Sequence, residues 1–147
     1  MWAHPDVTRH ITGKPSQRRE TWLRMLRYPG LWALLGYGYW AIEERASGKF
    51  VGEVGFADFQ RELTPSIEGI PEAGWVLDPA FYGRGYATEA LLAAVKWADA
   101  NISAEKTAAI ITPENVASIR VAEKAGYRET ARTVHAGDTV VLMMRPR

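Results

Sequence analysis

A glycine-bearing loop at residues 82–87 lies between an apolar, strand-like run and a long helix-like run. Strand, loop and helix in this order form a concave site in which loop N–H groups converge and the helix N-terminus adds partial positive charge. Gly83 and Gly85 can adopt positive φ and let a ligand approach the backbone. The loop therefore predicts a phosphate site in an α/β unit, although an ordinary strand-to-helix turn would explain the loop alone equally well.

Two familiar phosphate motifs do not match this loop. A P-loop has four residues between its glycines, followed by Lys and Ser or Thr, and this chain has no such pattern. The dinucleotide motif requires a third glycine where Thr88 stands. A nucleotide-binding fold is therefore a poor fit.

The composition limits the class of protein. A chain of 147 residues is long enough for one domain, predicted to span 1–147. A net charge of +1 gives no indication of nucleic-acid binding, and no apolar run is long enough to predict a membrane span. The absence of cysteine removes disulfides and thiolate chemistry and fits a cytoplasmic location, while the three histidines lack the spacing of metal ligands.

Periodicity predicts an order of elements with a mixed sheet. A helix is expected over 16–27, ended by Pro29 and Gly30, and an amphipathic helix from Ala87, where apolar residues recur at helical spacing. A second helix is expected over 112–125. The predicted strands are 37–44, 50–59, 72–77, 107–111, 127–134 and 139–144. This order predicts an α/β (α+β) fold with a mixed, mostly antiparallel sheet flanked by helices.

Two motifs in the right order resemble one family. Residues 82–90 read Y-G-R-G-Y-A-T-E-A, and downstream come Asn115 and Ser118, then E-K-x-G-Y at residues 123–127. These motifs resemble those of the Gcn5-related N-acetyltransferases (GNAT), and within them the ribosomal-protein N-terminal acetyltransferase branch. The resemblance implies transfer of an acetyl group from acetyl-coenzyme A to an amine.

One departure from that branch concerns the start of the fold. Its members usually begin with a β-strand ahead of the first helix, and residues 1–15 leave no room for one. Either the protein lacks the usual first strand or its start has been placed late. A missing strand would leave the strand at 37–44 with an unpaired edge. We expect that edge to be covered by residues 1–15 or by a partner chain, which makes a homodimer an expectation.

The resemblance also implies a set of coenzyme-binding residues. The loop would hold the pyrophosphate, the strand before it would bind the pantetheine arm through its backbone, and the second motif would supply further contacts. The implied residues are Trp75, Val76, Leu77, Tyr82, Gly83, Arg84, Gly85, Tyr86, Ala87, Thr88, Asn115 and Lys124. For Arg84 and Lys124, a solvated surface position is an open alternative. Asn115 is also a candidate N-cap, accepting from the N–H of Ser118.

Two residues are candidates for the chemistry. Glu72 is predicted to be the base that deprotonates the amine, with a solvent-facing strand residue as the alternative and Glu53 and Glu68 as weaker candidates. The resemblance implies that Ser118 contacts the coenzyme sulfur, as the matching serine of that branch can do. The tyrosine that many relatives use for this would fall at Ala122.

The acceptor is predicted to be an amine, either a protein N-terminus or a small molecule. Acetyl-coenzyme A is the only co-substrate expected, with no metal. The alternative function is a non-catalytic acyl-coenzyme A-binding or interaction domain on the same fold, and a nucleotide-phosphate binder is a third reading.

Overall fold

A six-stranded mixed sheet forms the centre of the computed structural model, which describes residues 1–147. The strands lie in the order β1-β2-β3-β4-β6-β5, and only the β3–β4 pair is parallel. Their bounds are β1 Tyr39–Glu43, β2 Phe50–Ala57, β3 Glu72–Leu77, β4 Lys106–Ile111, β5 Arg128–His135 and β6 Asp138–Pro146. The predicted fold class is therefore confirmed, and β3 has the predicted bounds.

Four α-helices surround this sheet. They are α1 Pro5–Thr8, α2 Arg18–Leu35, α3 Tyr86–Asn101 and α4 Val116–Lys124, with a single 3-10 turn at Pro79–Phe81. No helix combines the length and the apolar character needed to cross a bilayer.

The side chains of the central strands pack on both faces of the sheet. On one face Phe56, Leu91 and Tyr127 belong to a buried cluster that joins the sheet to α3 and α4. On the other face Leu63 and Ile67, from the loop between β2 and β3, pack against Ala108 and Leu142. Because strand side chains alternate between faces, adjacent residues of β4 and β6 serve opposite clusters.

Helix α2 runs further than the sequence predicted. It continues through Pro29 and Gly30 to Leu35 and ends at Gly36, whose φ is 74°. An interior proline costs a helix about 3 kcal/mol. Tertiary contacts of the last turns offset this cost.

Trp32 supplies those contacts. Its ring packs edge-to-face on Trp40 of β1 and Trp97 of α3, with centroid distances of 4.9 and 5.5 Å. Its indole Nε1 donates to the backbone oxygen of Tyr39 at 3.1 Å. The long end of α2 is therefore fixed to the edge of the sheet by one aromatic side chain.

β1 has β2 as its only strand partner and lies at the edge of the sheet. Residues 1–15 form no strand against that edge and contain only α1. Instead, the buried Trp2 side chain donates from Nε1 to both carboxylate oxygens of Glu53, at 3.3 Å each. The N-terminal segment is thus attached to β2, and the guanidinium of Arg24 in α2 packs over the Trp2 ring.

β3 and β4 separate almost as soon as they meet. Their only paired residues are Glu72 and Ala108, although β4 pairs along its whole length with β6. The backbone of β3 beyond Glu72 consequently has no strand partner on its β4 side. The gap opens at the carboxyl ends of the two parallel strands, where ligands of α/β sheets commonly bind.

The close contact of β2 with β1 makes a stability prediction. A Cβ added at Gly55 would lie 2.2 Å from the oxygen of Gly38 and 2.5 Å from Cα of Tyr39, both backbone atoms. We expect Gly55→Ala to lower the free energy of unfolding by about 2 kcal/mol or more, because the strands must move apart. Urea unfolding measures this change.

Gly30→Ala is the matched control. Gly30 lies inside α2 with nothing within 4 Å of an added Cβ. The free energy of unfolding should rise by about 0.5–1 kcal/mol, because alanine loses less backbone entropy in a helix. Two variants that change stability in the same direction by the same amount would contradict the packing described.

Candidate active site

A single cleft of about 1460 Å³ occupies the gap between β3 and β4. The loop before α3 lines one part of the cleft, and α2 and the N-terminal segment line other parts. Every residue predicted to bind the coenzyme lines this cleft except Arg84, and Ser118 lines it as well. The structure therefore brings together side chains that are far apart in the sequence.

The loop at 82–87 is open toward the cleft. Gly83 and Gly85 have φ of 72° and 83°, and nothing lies within 4 Å of a Cβ added at either position. Gly85 is the N-cap of α3 and provides no side-chain cap. The first N–H groups of the helix therefore have no intrahelical partner, and this is the arrangement that binds anionic oxygens.

Arg84 lies outside the cleft and anchors the loop. It forms an ion pair with Glu44 at 2.6 Å, and its guanidinium also donates to the Tyr86 hydroxyl at 3.1 Å. Hydrogen bonds from Ser47 and Tyr86 lower the pKa of Glu44 to about 2. The loop is thereby tied to the β1–β2 turn, a contact between residues 40 positions apart that the sequence pattern did not indicate.

The β4 side of the cleft offers polar groups to a ligand. Thr112, immediately after β4, has a buried Oγ1 with no hydrogen-bond partner, and it lines the cleft. Opposite it, the backbone of β3 is unpaired. A long ligand with amide groups, such as the pantetheine arm, fits both features, because its amides can bond to both walls.

Helix α4 contributes its first turn and one side. Asn115 Oδ1 accepts from the N–H of Ser118 at 3.2 Å, which confirms the predicted N-cap. Arg120 and Lys124 both line the cleft and form no ion pair. Sequence reasoning missed Arg120, although its spacing of four residues from Lys124 places both on one helical face.

Glu72 is buried and does not line the cleft. Its two oxygens accept from Arg61 Nε at 2.6 Å and from Nη2 at 2.9 Å. The third nitrogen of Arg61 lies 2.7 Å from Nε2 of His135. Because Glu72 is buried and outside the cleft lining, proton transfer to it from an amine in the cleft requires that side chains move or that a water chain reach the carboxylate.

Glu53 and Glu68, the weaker candidates, also lie outside the lining. The Glu53 carboxylate is held by Trp2 and by the Tyr28 hydroxyl, which donates at 2.5 Å. No group of three or more His, Asp or Glu side chains is arranged to hold a metal ion.

Two stacked tyrosines form a wall that sequence reasoning did not assign to the site. Tyr28 and Tyr39 lie with ring centroids 5.3 Å apart, and both line the cleft. The Tyr39 hydroxyl lies directly over Gly74 of β3, where an added Cβ would be 2.1 Å from it. Burial raises the pKa of Tyr39, and the nearby charge of Glu72 raises it further, so the hydroxyl keeps its proton.

Comparison with known sequences identifies the family. Residues 1–128 match the family model described as the acetyltransferase (GNAT) domain. The YkkB protein of Bacillus subtilis (strain 168) is 33% identical over 137 residues, which cover 90% of this chain and 75% of that protein.

Solved structures agree with that family in fold. A structure from Bordetella pertussis described as a GnaT-family acetyltransferase matches with a TM-score of 0.84 and 28% identity, over 95% of this chain and 86% of that one. AAC(6')-Ib, solved with paromomycin and acetyl-coenzyme A, matches with a TM-score of 0.79 over 99% and 84% of the two chains, but at 17% identity this likeness concerns the fold alone. With a matched family model over most of its length, this chain belongs to the GNAT acetyltransferases.

Proposed function

We propose that this protein transfers an acetyl group from acetyl-coenzyme A directly to an amine. The observation that carries the proposal is the continuity of one cleft from the open loop before α3 to the wall formed by α2. Such a cleft can hold an elongated, phosphate-bearing donor at one end and an acceptor at the other. The structural relative AAC(6')-Ib was solved with acetyl-coenzyme A and paromomycin together, which supports a cleft with separate donor and acceptor ends.

The donor would bind along three surfaces of the cleft. The N–H groups at the start of α3 would hold the pyrophosphate, and the unpaired β3 backbone would hold the pantetheine. Arg120 and Lys124 of α4 would neutralise the remaining phosphate charge. These contacts fix the position of the thioester, which raises the effective concentration of the reacting groups.

The reaction moves one acyl group and one proton. The lone pair of the neutral amine attacks the thioester carbonyl carbon, so that a C–N bond forms and the C–S bond breaks. The nitrogen loses one proton, and the departing sulfur gains one to leave as the thiol. Ser118 is the proposed donor of a hydrogen bond to that sulfur, and Glu72 the proposed base for the amine.

A protein N-terminus and a small-molecule amine both remain candidate acceptors. The sequence resemblance to the ribosomal-protein branch favours a protein N-terminus. The paromomycin bound by AAC(6')-Ib is a precedent on this fold for a small amine.

A non-catalytic acyl-coenzyme A-binding domain is the second candidate function. The engaged carboxylates of Glu72 and Glu53 favour it, because neither lines the cleft. Saturable acetyl-coenzyme A binding without turnover of any amine would support this second function against the first.

The loop assignment is tested by Gly85→Glu. A carboxylate at this position would face the pyrophosphate, so acetyl-coenzyme A affinity should fall by about 100-fold or more. Calorimetric titration with acetyl-coenzyme A measures the loss, with ATP as a ligand control. Gly137→Glu is the matched variant, since Gly137 also has positive φ and open space but lies at the tip of the β5–β6 hairpin. Equal affinity of both variants for the coenzyme would refute the assignment.

Ser118→Ala tests the sulfur contact. The Asn115 cap uses the backbone N–H of Ser118, so the variant should fold normally. We expect kcat to fall by about 10-fold with acetyl-coenzyme A affinity nearly unchanged, because the hydrogen bond strengthens as charge develops on sulfur. Ser103→Ala, outside the cleft, is the control. An unaltered kcat would show that Ser118 has only a structural role in the helix.

The base role of Glu72 is tested by comparing two variants. If Glu72 is the base, Glu72→Gln should lower kcat by about 100-fold or more, while Arg61→Gln should retain kcat because the carboxylate remains. Rates of thiol release and urea unfolding are measured for both. Equal losses of activity and stability in the two variants would instead assign Glu72 to its ion pair with Arg61.

A further inference from the structure

Arg24 of α2 is a partly buried cation in the acceptor end of the cleft with no ionic partner. It forms no ion pair, and its Nε is buried without a hydrogen-bond partner. Burial lowers the pKa of Arg24, and the charge of Arg27 lowers it further, although Tyr28 and Glu53 oppose the shift. A guanidinium that is partly shielded from water and has no hydrogen-bond acceptor in the protein favours binding of an anion.

The position of this guanidinium is fixed. Its carbon Cζ lies 3.6 Å from the centroid of the Trp2 ring. The Trp2 ring is itself buried and hydrogen-bonded to Glu53. This contact holds the guanidinium in place while its Nε lacks a hydrogen-bond acceptor, and a carboxylate would supply one.

Arg27 adds a second positive charge one turn further along α2. It is exposed, lines the cleft and has no ion pair. The repulsion between Arg24 and Arg27 is relieved when an anion lies between them. Two other arginines that line the cleft are already paired, Arg61 with Glu72 and Arg9 with Asp6.

Acidic side chains do not balance these charges within the cleft. Only Asp6 and Asp58 among its lining residues are acidic. Asp6 is paired with Arg9, and Asp58 accepts hydrogen bonds from the backbone and side chain of Gln60. Glu53 acts on Arg24 through space, but its oxygens are held by Trp2 and Tyr28 outside the cleft lining.

We infer that the acceptor is a small amine that also carries a carboxylate, with Arg24 binding the carboxylate and Arg27 reinforcing it. The stacked tyrosines and Leu31 of α2 would contact the apolar part of such a molecule. A polyamine or an aminoglycoside would instead bring further positive charge against two unpaired arginines. This inference rests on the proposed acetyl transfer and names its acceptor class.

The first experiment compares acceptors that differ in one group. The wild-type protein, saturated with acetyl-coenzyme A, is assayed with the common L-amino acids, the corresponding amino acid amides, and paromomycin as a polycation. Thiol release is followed with a thiol reagent, to which the cysteine-free chain gives no background. At least one amino acid should exceed its amide by about 10-fold or more in kcat/KM, the value of one charge-assisted hydrogen bond.

The second experiment removes the guanidinium. Arg24→Gln should lower kcat/KM for the amino acid by about 10-fold or more but leave that of its amide unchanged, and Arg24→Lys should retain part of the preference. KM for acetyl-coenzyme A should not move. Arg19→Gln is the matched control, since Arg19 lies on the same helix outside the cleft lining. An equal loss for acid and amide would assign Arg24 to packing on Trp2 and overturn the inference.

A binding measurement separates this inference from the proposed function. Calorimetry is performed on the protein saturated with coenzyme A, using the same acids and amides. Binding of an acid that is tighter than that of its amide, and that Arg24→Gln abolishes, supports the anion site even where no thiol is released and acetyl transfer therefore fails. Tighter binding of the amides than of the acids, or a preference for paromomycin in the first experiment, would overturn it.

Discussion

The separation of β3 from β4 is the constraint on which the site depends. One residue pair joins these parallel strands, and beyond it the strands diverge and form the two walls of the cleft. The opening places the loop before α3 at the end of one wall and the first turn of α4 at the end of the other. It also leaves the β3 backbone and the Thr112 hydroxyl without partners. The unpaired β3 backbone is thus left for a ligand to bind, whereas the Thr112 hydroxyl is buried without a partner.

The rest of the sheet compensates for this opening. β4 pairs fully with β6, and β3 pairs fully with β2, so each wall is held from its outer side. Helices α3 and α4 cover one face through a continuous apolar cluster. Trp32 then joins α2 to β1 and α3, which holds α2 against the sheet in spite of Pro29.

Charge is distributed unevenly along the cleft. The buried carboxylates of Glu53 and Glu72 are each held by hydrogen bonds from neighbouring side chains, whereas Arg24, Arg27, Arg120 and Lys124 remain without ionic partners. Two of these cations lie on α4 and two on α2. A donor rich in phosphate suits the first pair, and the unpaired state of the second pair is what motivates the inferred acidic acceptor.

Elements with local signals could be predicted from the amino-acid sequence. Periodicity and glycine placement predicted β3, the start of α3 within one residue, and the Asn115 cap, because each depends on neighbours along the chain. All the residues that the motifs predicted to bind the coenzyme line one cleft, except Arg84. Tertiary structure alone decided the length of α2, the attachment of Arg84 to Glu44, the pairing of Glu72 with Arg61, and the exposure of Arg24 to the cleft. These features depend on side chains that are distant in the sequence. Their partners are set by which groups the folded chain buries together and by which charges it pairs.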